Sequence, residues 1–371
     1  MDPPTNKKNS RDKIAKRFYK FTNLLKIRGC REILNIYNNR CAMKKLKVIA
    51  FLVLILVVVL WGIAPVVSKG IFDAEPALYS PGMLIALRGL FSIIAMAIIV
   101  NKGFKKINKS YWICIPAGII LSAAYIFQFV GLKYTVPSKN TFLENISCIT
   151  IPLFMFIFVR EKPTWPSIIS AIICVIGSLF LVGNGFDFLH FFKEGNLLGD
   201  GLSAIGGLFF GLDIAFTKVF CKDKDPLIYV FLQLCVLTVV STIYTFAFEN
   251  AIFHEMHFTF DLLPLLQVVF LGVICTAVCW VARAWAMKYI DAVTVSVLVP
   301  LSAVVASILS ISFQMEEFTL NLLIGGLIIL LSIAVSAIFD YRKECQSKHI
   351  ENNESETSGE VNTDEPNQSQ L

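Results

Sequence analysis

The stretch VIAFLVLILVVVLWGIAPVV, residues 48–67, contains no charged side chain. About 20 such residues in a helix cross the roughly 30 Å of hydrocarbon in a bilayer, and a helix apolar on every side is either wholly buried or in lipid. At the far end of the chain, NLLIGGLIILLSIAVSAIF (321–339) has the same character. Between the two the pattern recurs. Apolar runs at 48–69, 78–100, 111–132, 137–158, 166–184, 197–219, 227–247, 262–286, 292–312 and 320–339 predict an all-α integral membrane protein of ten transmembrane helices. Composition agrees: 56% of the 371 residues are hydrophobic and 16% charged, against about 25% charged in a soluble domain.

Charge sets the orientation. The loop NKGFKKINKS (101–110) holds four lysines, and Arg160, Lys162, Lys222 and Lys224 fall in two later links, whereas 248–261 and 313–319 carry no Lys or Arg. The positive-inside rule then places both termini in the cytoplasm of a multi-pass protein of the cell membrane. The net charge of +6 is not a nucleic-acid signature, because 14 of the 33 Lys and Arg precede the first span. Ten scattered cysteines without CxxC or Cys/His ligand spacing imply no metal and no disulfide framework. No phosphate cradle or nucleophile elbow is present, and HEMH (254–257) is one residue short of HExxH. No cofactor and no enzyme activity are expected.

The ends differ from the middle. Residues 340–371, rich in Glu, Asn, Ser and Thr, make a disordered acidic tail. Residues 1–45 form a basic cytoplasmic segment, and two readings of it stand. Ile14, Phe18, Phe21 and Leu25 lie at helical spacing, as in an amphipathic helix on an anionic leaflet. Alternatively, Met43 followed by KKLK and an apolar run has the form of a start, which makes 1–42 an extension.

The middle is duplicated. With a shift of 155, Lys133-Tyr134 meets Lys288-Tyr289, Ser147 meets Ser302 and Glu161 meets Glu316; with a shift of 149, WGIAPVVSK (61–69) meets FGLDIAFTK (210–218). The units 46–184 and 197–339 each have five spans. An odd number sends the second unit in from the opposite face, so the halves form two inverted five-helix repeats, an architecture of secondary transporters.

LWGIAPVVSK in span 1, Arg88 in span 2, QFVGLKYTVPSKNTFLENISCITIPL (128–153), Glu161, and LLGDGLSAIGGLFFGLDIAFTK (197–218) together resemble the EamA branch of the drug/metabolite transporter superfamily, over roughly residues 46–340. The resemblance implies a solute permease in which two halves enclose a cavity and alternate its access. It implies small metabolites as cargo, amino acids or related compounds among them. The sequence departs from the family at Glu144 and Asn145, where relatives tend to carry small or uncharged residues.

Ionisable residues inside spans cost at least about 2.5–3.5 kcal/mol and mark cavities or partners. Glu144 and Asn140 share a face of span 4, with Lys139 nearby, as a polar stripe for a solute or a proton. Asp213 is a second proton or substrate contact, or else a structural pair with a lysine such as Lys218 or an interfacial snorkel. Arg88 meets a substrate carboxylate or pairs with Glu144 or Asp213. Trp61, Tyr125 and Trp280 are candidates for the cavity wall, and Tyr125 and Trp280 correspond in the repeat. Gln128 and Arg283, also repeat equivalents, are expected at the membrane interface. The expected partners are a small-molecule solute, protons and the lipid bilayer, with a homodimer left open. A membrane enzyme acting on a lipid-linked substrate, or a non-transporting sensor or scaffold, are the rival readings.

Overall fold

A computed structural model of the chain describes residues 28–100, 107–160, 165–182, 197–321, 323–335 and 338–339. Residues 1–27, Glu161 and the tail 340–371 lie outside the described residues. The chain divides into two units, residues 1–51 and 52–371. In the first, the described part is helical from Arg28 onward. The second holds everything that follows.

Eight helices among the described residues are long and apolar enough to cross a membrane. They are α1 (Lys45–Phe72), α2 (Pro81–Val100), α3 (Lys109–Tyr134), α4 (Pro137–Val159), α6 (Leu197–Phe220), α7 (Pro226–Asn250), α8 (Leu262–Ala286) and α9 (Thr294–Ser312). At the fifth and tenth expected places stand shorter apolar helices, α5 (Ile168–Gly177) and α10 (Leu323–Val335). Several starts have the expected chemistry. α2, α4 and α7 begin on Pro81, Pro137 and Pro226, whose missing N–H is one the first turn leaves unpaired anyway. Before Pro226, the Asp225 carboxylate accepts from Leu227 N at 3.0 Å.

The outer faces carry large apolar side chains in the open: Ile98 is 77% exposed and Ile99 68%. In water these would be an aggregation surface; against acyl chains they are at home. Inside, several hydroxyls are satisfied within their own helix. Ser68, Ser92 and Ser122 donate to the carbonyls of Ala64, Arg88 and Gly118, each four residues back, which satisfies them where no water competes.

Two glycines allow helices of the two halves to approach closely. A Cβ at Gly62 in α1 would lie 2.6 Å from the Ser302 carbonyl oxygen of α9. Gly211 in α6 meets Thr150 Oγ1, and its Cβ would lie 3.4 Å from Ser147 Cα in α4. Gly62 and Gly211 are repeat equivalents, and so are Ser302 and Ser147. The contact is therefore reciprocal.

Candidate functional site

Both α4 and α9 are interrupted midway. α4 consists of Pro137–Glu144 and Ser147–Val159, joined by a tighter turn in which Asn145 N donates to Phe142 O and Cys148 N to Asn145 O, both at 2.9 Å. α9 breaks between Leu298 and Leu301, where Pro300, the counterpart of Asn145, has no N–H to offer Ser296. Cys148 Sγ donates to that carbonyl at 2.8 Å, which ties the break in α4 to the break in α9. Interrupted spans of this kind are where membrane transporters place their binding sites.

A cavity of about 30 Å³ lies beside the two breaks. Most of its lining comes in repeat pairs: Trp61 with Phe210, Pro65 with Ile214, Tyr125 with Trp280, Glu144 with Val299, and Ser147 with Ser302. Ala64, Arg88, Gln128 and Phe129 complete it. Two larger hollows, about 530 and 370 Å³, are lined almost wholly by apolar residues such as Ile99 and Val278, or Ile149 and Leu153. Those residues face the hydrocarbon side, and the chemistry is in the small cavity.

The wall is aromatic. Trp280 Nε1 donates to Tyr125 OH at 2.8 Å, and the Trp61 and Trp280 rings are 5.5 Å apart. Two ionisable side chains of opposite type stand in this wall without pairing with each other. Arg88 is 2% exposed; its Nε donates to Thr276 Oγ1 at 2.9 Å, and its guanidinium lies 4.9 Å from the Tyr125 centroid and 5.1 Å from that of Phe129. Thr276 sits where α8 widens to π-helical bonding over Leu271–Val278, a distortion frequent at functional sites. Arg88 Nη1 has no partner. Glu144 accepts from Gln128 Nε2 at 2.6 Å. Among the described residues, neither Arg88 nor Glu144 makes an ion pair. The indole Nε1 of Trp61 is also buried without a partner.

Of the eight residues singled out from the sequence, Trp61, Arg88, Tyr125, Glu144 and Trp280 come together here. The other three stand elsewhere. Lys139 pairs with Asp200 at 2.6 Å. Asn140 donates to Gln128 O and Ser203 Oγ. Asp213 pairs with Arg283 at 2.9 Å and accepts from Gln233.

Gln128 and Arg283, expected near the membrane interface, are packed inside the bundle, 6% and 0% exposed. The polar end of a helix can pack inside a bundle, so a place near the end of an apolar run does not by itself mean exposure. Gln128, Phe210, Ser147 and Ser302 were not singled out as site residues. The repeat carried the signal, since Phe210 and Ser302 are the counterparts of residues at the wall.

Helices of membrane length around a pair of interrupted spans, with unpaired charge in an aromatic cavity, define a multi-pass membrane protein built to handle a solute. The EamA-like transporter family matches the chain twice, over residues 48–183 and 197–338, and the chain belongs to that family, within the drug/metabolite transporter superfamily. An "uncharacterized transporter" of Archaeoglobus fulgidus is 22% identical over 222 residues, 60% of this chain and 67% of its own length. A second from the same organism is 23% identical over 62% of this chain and 77% of its own. A Schizosaccharomyces pombe protein described as an uncharacterized solute carrier family 35 member is 25% identical over 44% of this chain and 32% of itself. One crystal structure superposes with a TM-score of 0.62 at 17% identity, covering 79% of this chain and 98% of the other; it speaks to the fold alone. Family and relatives point to transport rather than to enzyme chemistry.

Proposed function

We propose that the protein is a secondary active transporter of a small zwitterionic organic solute, an amino acid or a related compound, working by alternating access at the cell membrane. One observation carries this reading: Arg88 and Glu144 line one cavity, each without a counter-ion. Leaving a buried charge unpaired is costly, and a ligand with a carboxylate at one end and an ammonium at the other offsets both costs at once. The aromatic wall suits the apolar part between them.

Ten spans in two inverted halves, with both termini cytoplasmic, is the architecture that fits the two family matches. A residue touches its own repeat equivalent only near the axis relating the copies, and Tyr125 with Trp280 meets that condition. The reciprocal contacts of Gly62 with Ser302 and Gly211 with Ser147 support the same two-fold relation. A cavity of about 30 Å³ has room for a water or two, so admitting a solute requires the halves to move apart. Glu144 is the titratable carboxylate in the wall, and we assign proton coupling to it.

The test is uptake into proteoliposomes. Labelled L-amino acids, simple amines and simple carboxylates are compared with and without a pH gradient. Saturable uptake of zwitterions, lost in Arg88→Gln, is expected. Glu144→Gln should lose accumulation driven by the pH gradient while downhill exchange continues at matched abundance. Wild-type, pH-driven accumulation by the Gln variant would remove Glu144 from the coupling step.

A further inference from the structure

Arg283 is a buried arginine outside the cavity, and its hydrogen bonding is oddly incomplete. All of it passes through Nη2, to Asp213 Oδ2 at 2.9 Å and Thr217 Oγ1 at 3.3 Å. Nε and Nη1 are buried without partners. A guanidinium has five donors, and unmade hydrogen bonds in the interior are expensive, so hydrogen bonding alone does not explain the placement. The stack does. Arg283 Cζ lies 4.0 Å from the Trp280 ring centroid, the contact of a flat cation on an indole face. The other face of the arrangement is anchored: Gln233 Nε2 donates to Asp213 Oδ1 at 2.5 Å and to Ala117 O at 3.3 Å. A connected line thus runs from Gln233 through Asp213 and Arg283 to Trp280, and by the indole N–H to Tyr125. Only its last two members reach the cavity.

We propose that Arg283, clamped by Asp213, is a positioning residue that fixes the tilt of Trp280, and through it Tyr125, so that it sets the shape of the aromatic wall against which the apolar part of the solute packs. The clamp fixes where Arg283 Nη2 lies, and the indole rests against the guanidinium it holds. In the first half the counterpart of Arg283 is Gln128, which reaches Glu144 instead, and the cation over the equivalent ring, Tyr125, comes from Arg88. The solute part of the proposal rests on the cavity being the transport site; the positioning part does not.

The experiment has two arms. In the ligand-free arm, the contribution of Trp280 to emission and to acrylamide quenching is obtained by difference from a matched Trp280→Phe protein. The double variant Asp213→Asn/Arg283→Gln removes both charges together, and Arg283→Lys keeps the ion pair while losing the flat stack. In both, Trp280 emission should shift and its quenching rise severalfold; an unchanged Trp280 signal in Arg283→Lys overturns the proposal even if the double variant fails to insert. In the second arm, uptake of labelled L-amino acids should show half-saturation raised by up to about tenfold, the worth of one well-placed aromatic contact, with the maximal rate kept. Wild-type half-saturation despite a shifted Trp280 signal also overturns it. If wild-type protein carries no amino acid while Trp280 shifts as expected, the solute class is wrong and the positioning role stands.

Discussion

Gln128 and Arg283 occupy equivalent places in α3 and α8, and each binds a carboxylate, Glu144 in one half and Asp213 in the other. The geometry is alike and the electrostatics are opposite. A guanidinium neutralises Asp213, and the pair is sealed from solvent, 0% exposed on both sides. A neutral amide donates to Glu144 and leaves the carboxyl without an ion-pair partner at the cavity. The family model matches both halves, and at this matching position a change of residue type separates a carboxylate held in an ion pair from one held by an amide alone.

Removing a partner from the sealed pair should have the largest effect. Arg283→Ala strands Asp213 in low dielectric and is expected to cost about 3–5 kcal/mol of stability, read as a large fall in monodisperse protein and in its melting temperature in detergent. The double variant Asp213→Asn/Arg283→Gln should recover most of that loss, since both charges leave together. Equal damage from the single and double changes would mean that the pair is held for something other than charge balance.

Making the first half like the second comes next. Gln128→Arg would place a guanidinium against Glu144 and neutralise the wall. Transport should drop by roughly tenfold to a hundredfold, the worth of a hydrogen bond to a charged group, while abundance and melting temperature hold or rise. Undiminished transport by this variant would show that an uncompensated Glu144 is not required, and the contrast between the halves would lose its functional meaning.

Much of this architecture is legible in the chain because a bilayer imposes a coarse rule, and runs of apolar residues report it. The duplication was legible too, through the Lys-Tyr, Gly and Ser positions, and the observed wall follows it: Trp61 leads to Phe210, and Ser147 to Ser302. The pairing of charges was not legible. Asp213 and Arg283 are 70 residues apart in sequence, and helical spacing relates residues only within one helix. Lys139 with Asp200 was hidden for the same reason. The break in α4 carries no proline at Asn145 to announce it, whereas Pro300 marks its counterpart in α9.

The smallest expected effect belongs to the hydrogen bond that steadies Glu144. Gln128 Nε2 lies 2.6 Å from the carboxylate, and Gln128 is itself buried at 6% exposure. Truncation to Ala removes one donor to a charged acceptor, but Glu144 is only partly buried and faces the cavity, so water can take the vacated place. The loss should therefore fall below the roughly 1.5 kcal/mol lower bound for such bonds, to about 1 kcal/mol or some fivefold in apparent solute affinity, with folding little changed. Gln128→Glu separates geometry from charge at the same site. It keeps the length of the side chain but sets a second carboxylate against the first, and like charges at that range favour a shared proton. If Gln128 acts through its amide donor, Gln128→Glu should shift the pH dependence of uptake upward, because one of the two carboxyls must be protonated to donate to the other. Gln128→Ala should leave the pH dependence nearly where it was. Coincident pH profiles for the two variants would show that Gln128 contributes packing alone, and the parallel with Arg283 would reduce to shape.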